Sequence, residues 1–351
     1  MRTDLLDYDL PHDRIAKYPI ADRDGARMLV VRRDEFVDST ILDWPNQVPT
    51  EALVVVNDTR VLKARLIGSR RPTGGRVELL LLAPIGSDTG YETSQCWTAL
   101  GRASKPLRVG TVIEISPLLV TVESQNPDGE LRVRLESDSP IRGVIDDVGH
   151  VPIPPYLGRP DEPIDAERYQ TIFADHTGSV AAPTAGLHLS QNILQALAAR
   201  EIRVESITLH VGIGTFRPVM VPDLDTHPMH EESYVVRSHL AAQIEAARRR
   251  HAPVIAIGTT VVRALESAKD PARPGLVVPQ SQTTRLLIQP GYEFQVVDGL
   301  LTNFHMPKST LLALVGAFVG LDRILEAYKT ALSRGYRFLS YGDATWIPDR
   351  L

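Results

Sequence analysis

Residues 76–135 carry the pattern that decides the fold: Arg76-Val77-Glu78-Leu79-Leu80-Leu81-Leu82, then Cys96 to Leu100, Val112 to Ile115, Leu118 to Val122 and Leu131 to Leu135. These are short runs rich in β-branched and large apolar residues. Between them lie breakers such as Thr73-Gly74-Gly75 and Gln125-Asn126-Pro127-Asp128-Gly129. That spacing predicts a small sheet or barrel, placed at residues 64–145. On either side the texture changes to apolar strand-like runs alternating with helical patterns, the signature of an α/β layer. The expectation is an α/β fold: a Rossmann-like α/β domain of residues 1–63 and 146–351, interrupted by an antiparallel β unit, a small sheet or a β-barrel domain, of residues 64–145.

In the flanking part, Leu53 to Val56, Ile207 to Val211, Val254 to Ile257 and Leu300 to Phe304 have few polar residues, as strands buried on both faces do. Ser190, Ser238 and Ser309 stand before helical runs at Asn192 to Arg200, Leu240 to Arg250 and Leu311 to Tyr328, where a hydroxyl can cap free backbone N–H groups. The prolines at 152, 154, 155 and 160 make Gly149 to Pro163 a linker.

Composition narrows the class. The chain has 351 residues, 38 Lys+Arg against 43 Asp+Glu, and 43% hydrophobic residues, which fits a globular protein and excludes collagen, coiled coil and disorder. A net charge of −5 argues against a generally basic nucleic-acid coat. Cys96 is the one cysteine, so neither an intramolecular disulfide nor a thiolate zinc cage can form. Met1 to Pro11 lacks the apolar core of a signal peptide, and the apolar run Leu311 to Leu321 stops at Asp322-Arg323, short of a membrane span. A cytoplasmic protein without membrane contact is expected.

The chemistry is expected where apolar strands run into polar turns: Asn57-Asp58-Thr59-Arg60, Gly212-Ile213-Gly214-Thr215, Gly258-Thr259-Thr260 and Thr302-Asn303-Phe304-His305. In α/β sheets ligands bind beyond the carboxyl ends of strands. Gly212 to Arg217 begins like a dinucleotide fingerprint, but Arg217 replaces the third glycine. Lys308-Ser309-Thr310 lacks the upstream glycines of a phosphate loop, and no Gly-x-Ser-x-Gly elbow exists. His227, His230 and Glu232 are metal-ligand types, although Pro228 disfavours a helix that would align the histidines. Lys63, Arg65, Arg70, Arg71 and Arg76 form a positive run at the barrel junction, suited to RNA phosphates. Two other classes stay open here: a metal-dependent hydrolase built on the histidines and a non-catalytic RNA-binding protein.

Long motifs in fixed order add a resemblance. Asp7-Tyr8-Asp9-Leu10-Pro11, Asn57-Asp58-Thr59-Arg60-Val61, Gly74-Gly75-Arg76-Val77-Glu78 and Pro152-Ile153-Pro154-Pro155-Tyr156 lead into Gly178 to His188. Leu209-His210-Val211-Gly212-Ile213-Gly214-Thr215-Phe216, Gly258-Thr259-Thr260 with Arg263, and Ser340-Tyr341-Gly342-Asp343-Ala344 complete the series. The sequence resembles the S-adenosylmethionine:tRNA ribosyltransferase-isomerase family of queuosine biosynthesis, with Val261 standing where that family usually has serine.

The resemblance implies transfer and isomerisation of the ribosyl part of S-adenosylmethionine onto 7-aminomethyl-7-deazaguanine in tRNA. Epoxyqueuosine forms, and adenine and methionine are released. S-adenosylmethionine is consumed, so no cofactor and no metal are implied, and a monomer is expected. His305 and Asp298, with His210, are the catalytic candidates. Asn57, Thr59, Arg60, Tyr156, Thr184, His188, Gly212, Gly214, Thr215, Thr259, Thr260, Arg263, Asn303, Phe304, Tyr341 and Asp343 are the substrate-binding candidates.

Overall fold

The computed structural model describes residues 1–86, 90–127, 129–212, 214 and 218–350. In chain order the strands begin β1 (Arg27–Val31), β2 (Phe36–Thr40), β3 (Leu53–Asn57) and β4 (Thr59–Val61). Six strands follow, β5 (Arg65–Arg70), β6 (Arg76–Ile85), β7 (Ser94–Ala103), β8 (Val112–Ile115), β9 (Leu118–Gln125) and β10 (Leu131–Glu136). They close into an antiparallel barrel in the order β10-β7-β6-β5-β8-β9. Alternation decides what fills it: Val77, Leu79 and Leu81 of β6 point inward with Trp97 and Ala99 of β7 and Val133 and Leu135 of β10. Cys96 falls on the outward phase of β7, half-buried and 3.4 Å from Glu123.

After a helix α1 (Trp44–Gln47) before the barrel, α2 (Ile141–Val148) follows it, packing Ile141, Val144 and Ile145 on the barrel core. The chain leaves the barrel beside the point where it enters. His150 N–H donates to the Arg65 carbonyl at 2.8 Å and Arg65 N–H to that of His150 at 3.2 Å. Gly149 permits this closeness, since a Cβ there would lie 2.1 Å from the Lys63 carbonyl oxygen.

The rest of the chain adds α3 (Pro163–Arg168), β11 (His176–Ser179), α4 (Gln191–Ala199), β12 (Arg203–Leu209), β13 (Glu232–Val236) and α5 (Ser238–Arg249). Then come β14 (Val254–Ile257), α6 (Thr259–Ser267), β15 (Gln280–Thr284), β16 (Gly299–Asn303), α7 (Thr310–Val319), α8 (Leu321–Ser333) and β17 (Ala344–Ile347). Nine strands form one sheet in the order β15-β13-β12-β3-β14-β16-β17-β1-β2. Its core is the parallel set β12, β3, β14 and β16. Strand β17 runs antiparallel to β16 and parallel to β1. The sheet is therefore mixed, unlike the parallel, doubly wound sheet of a Rossmann domain.

Both faces are covered, which explains the nearly continuous apolar strands. Leu53, Val55, Val254 and Ala256 face a cluster with Ile244 of α5, Leu265 of α6, Leu312 of α7 and Ile324 of α8. Val54, Val56, Ile255 and Ile257 face Trp44 of α1 and Ile193 of α4. Two serines cap as expected: Ser190 Oγ accepts from Ile193 N and Ser309 Oγ from Leu312 N, both at 3.2 Å. Ser238 does not; it lies inside α5, whose first flanking residue is Arg237. The run Leu311 to Tyr328 is two helices, broken at Gly320, whose φ of +88° is open to glycine at little cost. No helix among the described residues is long and apolar enough to cross a membrane.

Candidate functional site

Because the four central strands are parallel, their carboxyl ends share one edge of the sheet. Asn57 ends β3, His210 follows β12, Thr259 and Thr260 follow β14, and Asn303 and His305 close β16. The described residues of the polar turns thus share one edge, as sheet direction requires.

Asn57 braces this edge. Its Nδ2 donates to the Leu209 carbonyl at 2.9 Å and approaches Thr260 Oγ1 at 3.5 Å, while Oδ1 accepts from Leu209 N and Thr59 N. Both lone pairs of Oδ1 and one N–H are thereby spent within the protein, so Asn57, a substrate-contact candidate from sequence, also braces the strand ends. Thr59 is fully buried, with Oγ1 2.8 Å from His210 Nδ1. The His210 ring lies over Gly178, where a Cβ would come within 2.7 Å of Cε1. Burial, then the nearby His176, lowers the His210 pKa.

On the β16 side, Asn303 Nδ2 donates to His188 Nε2 and to the Leu339 carbonyl, both at 3.2 Å. Turning the amide over would set Oδ1 against that carbonyl, so the orientation is fixed by its partners. Oδ1 is then left buried without a partner. His305 Nε2 lies 2.9 Å from Thr302 Oγ1, and the His305 backbone N–H donates to Tyr328 Oη at 3.0 Å. Burial pushes His188 down to about 4 and His305 to about 3. Both rings are neutral at ordinary pH. A base that weak is suited to donating or accepting a hydrogen bond, not to holding a proton. Phe304 is wholly buried, stacked on Phe338 at 4.6 Å. Tyr156, Thr184, Asn303 and His305 line a small cavity of about 30 Å³, with the Tyr156 hydroxyl bonded to Ser340 Oγ.

Three candidates are placed otherwise. Asp298 precedes β16, so five residues of strand at ~3.3 Å each, on the order of 16 Å, separate it from the Asn303 end. At that opposite edge it accepts from Val254 N at 2.9 Å and pairs with Arg248 and Arg350. It cannot share a proton with His305, which corrects its catalytic assignment. Asp298→Asn should therefore leave kcat within about twofold while lowering stability by roughly 1–3 kcal/mol, read by turnover and urea denaturation side by side. Tyr341 gives its hydroxyl to Asp165 at 2.7 Å, and Asp343 accepts from Arg27 N at 3.2 Å and Arg337 N at 2.8 Å. Both are committed within the protein.

Arg263 on α6 is buried against Glu232 of β13, whose Oε1 accepts from Gly212 N at 2.9 Å. Arg263 Nη2 is buried without a partner. Gly214 abuts His230, where a Cβ would meet Cδ2 at 2.3 Å, and Thr215 lies outside the described residues. Glu232, read from sequence as a metal-ligand type, and the buried Asp58, which takes hydrogen bonds from Thr208 at 2.6 Å and Ser206 at 2.7 Å, are carboxylates of this edge that the candidate substrate contacts did not include. Among the described residues no group of three His, Cys, Asp or Glu is placed to hold a metal.

The basic run does not form one free patch. Lys63 donates to the Asp146 carbonyl, Arg65 pairs with Glu78 at 2.8 Å, Arg71 with Glu114, and Arg70 binds the Lys105 and Pro106 carbonyls. Arg60 and Arg76 are exposed. Between the barrel and the 152–160 linker lies a cleft of about 600 Å³, lined by Arg65, Glu78, Arg102 and Arg159 over apolar walls. Its volume is in the range of small-molecule sites.

The chain can be set beside known proteins. A family model described as a queuosine biosynthesis protein matches residues 3–347. The S-adenosylmethionine:tRNA ribosyltransferase-isomerase of Sorangium cellulosum is 54% identical over 99% of this chain and 98% of its own length. That of an Anaeromyxobacter species is 45% identical over 98% of each. The crystal structure of S-adenosylmethionine tRNA ribosyltransferase from Thermotoga maritima superposes with a TM-score of 0.54 at 29% identity, covering 98% of this chain and 99% of that one. Matched from end to end in sequence and in architecture, the chain belongs to the queuosine biosynthesis family of transferase-isomerases.

Proposed function

We propose that this enzyme transfers the ribosyl part of S-adenosylmethionine to the aminomethyl nitrogen of 7-aminomethyl-7-deazaguanine in tRNA, isomerising the sugar to an epoxycyclopentanediol. Adenine and methionine leave, and epoxyqueuosine remains in the RNA. The observation that carries the reading is a polar strand-end site adjoining an arginine-flanked cleft of nucleoside volume. Pro155 and Ala181 line the cleft, while Tyr156, next in the chain, and Thr184, three residues beyond Ala181, line the cavity at His305.

The residues suit the needs of that reaction. Adenine carries an exocyclic amine that the unpartnered Asn303 Oδ1 can accept, and the neutral His305 can bond a ring nitrogen. The cavity of about 30 Å³ holds little more than a water-sized group, so an adenosyl group enters when Met306 and Leu339 part. Arg263 Nη2 offers a donor to the methionine carboxylate. The exposed Arg60 and Arg76, with Arg70, supply charge to the RNA backbone. We further propose that the working units are residues 64–145 and the remainder, acting as a monomer in the cytoplasm.

The test is incubation of purified protein with S-adenosylmethionine and tRNA bearing the aminomethyl base, with nucleosides and small molecules resolved by mass spectrometry. Epoxyqueuosine with equimolar adenine and methionine is the expected result. Folded protein that binds this tRNA and yields none of the three would overturn the reading in favour of a binding module.

A further inference from the structure

Among the charged side chains of the barrel cleft, Glu78 is the one carboxylate within the described residues; the others are arginines. Two cross-strand pairs on the outer face of β6 and β7 build this wall, Leu80 opposite Leu100 and Glu78 opposite Arg102. Pro152 faces them from the linker. A cleft with largely apolar walls and the Arg65–Glu78 pair among its few polar groups suits a heteroaromatic ring held by its polar edge.

Glu78 is held by Arg65 through Nε to Oε1 at 2.8 Å and Nη2 to Oε2 at 3.1 Å. Arg65 has a second carboxylate close by, Asp161, whose Oδ1 is 4.0 Å from Nη1. Asp161 is anchored in turn by His150 Nδ1 and Val151 N, each at 3.1 Å. The guanidinium thus stands between two acceptors. A ligand can draw on the oxygens of Glu78 while Arg65 leans on Asp161, with Arg102 standing opposite Glu78 on β7.

Resting on the ribosyl-transfer reading above, we infer that Glu78 recognises the Watson–Crick edge of a guanine-type base in RNA, accepting from ring N1–H and the exocyclic 2-amine while Arg65 donates to O6. Guanine is the natural base with two adjacent N–H donors beside an acceptor on that edge, the pattern a carboxylate and a guanidinium match together. A 7-deaza ring keeps that edge unchanged. Its C7 substituent projects from the adjoining Hoogsteen edge, on the side of O6, so a base held at Glu78 leaves its aminomethyl group outside that contact. Pro155 and Ala181 of the cleft lead along the chain to Tyr156 and Thr184 at the strand-end cavity.

Charge makes the test discriminating. Removing a carboxylate from among arginines strengthens binding of any polyanion held by charge alone, whereas loss of an edge contact weakens it. Two tRNAs are compared, one bearing 7-aminomethyl-7-deazaguanine and one its hypoxanthine analogue without the 2-amine. Binding is titrated against the wild type and Glu78→Gln, with S-adenosylmethionine binding checking that the variant is folded. The wild type should prefer the first RNA by about 10- to 100-fold, the range for one hydrogen bond to a charged acceptor, and Glu78→Gln should lose that preference. A wild type indifferent to the amine, or a variant that keeps the preference, overturns the assignment. If the preference follows Glu78 but no epoxyqueuosine forms with the wild type, the base reader stands and the proposed reaction falls.

Discussion

His305→Ala is expected to lower kcat by about 10²- to 10³-fold, the loss that follows removal of one preorganised hydrogen-bonding group from a reacting centre, while His305→Asn recovers most of it. The reason is the protonation state. Burial sends the imidazole to about 3, so near neutrality it acts as a neutral partner, with Nε2 tied to Thr302. An asparagine amide can take over a hydrogen bond but cannot relay a proton. Equal losses in the two variants would overturn the neutral role and return His305 to proton transfer. The same depression has a linked effect on stability. The unfolded chain binds protons on His305 and His188 below about pH 6.5, whereas the folded rings stay neutral to about 3 and about 4. Their contribution to stability is complete above pH 6.5 and is lost as pH falls toward those values. Urea midpoints of His188→Asn should accordingly fall less steeply between about pH 6 and pH 4 than those of the wild type.

Glu232→Ala is expected to cost about 3–5 kcal/mol of stability, the loss typical of a buried charge deprived of its partner. Arg263 would be left in the core beside α6 with Nε on the Leu286 carbonyl and two nitrogens unpaired, since Nη2 already lacks a partner. The variant also frees Gly212 N, so turnover should fall further than stability alone explains. Arg263→Met combined with Glu232→Leu should recover most of the urea midpoint and little of the turnover. A double variant no more stable than Glu232→Ala would show that the pair is not the source of the loss.

Much of this architecture could be read from periodicity. Strands β8 and β14 fall where alternation or unbroken apolar runs place them, because burial of one or both faces writes itself directly into residue type. Strand β5 was missed: Arg65, Gly68 and Arg70 dilute its pattern, although Leu66 is fully buried. Edge strand β15, Gln-Ser-Gln-Thr-Thr, buries one residue in five and has no apolar signal to find. At the site, the strand ends were legible because chain direction fixes which turns share an edge. The same logic argued against Asp298, which stands before its strand, not after it. Glu232 also left a trace: it shares the inward phase of β13 with Tyr234 and Val236, and a carboxylate at such a position needs a partner. What sequence could not supply was which polar groups are already spent on the fold. Tyr341 and Asp343 look like ligand contacts until their partners are seen.

Strand β17 occupies an unusual place. It lies later in the sequence than any other described strand, yet it is wedged between β16 and β1, in register Leu300 to Ile347 on one side and Met28 to Ala344 on the other. Until it arrives, the growing chain holds two unfilled ladders, one left by residues made near the start of synthesis. The barrel, contiguous in sequence, can close long before. The nascent protein therefore carries exposed, apolar strand edges through most of its translation, the form most open to wrong pairing with other chains. A ribosome stalled before residue 344 would release a polypeptide with its barrel finished and its central sheet split in two.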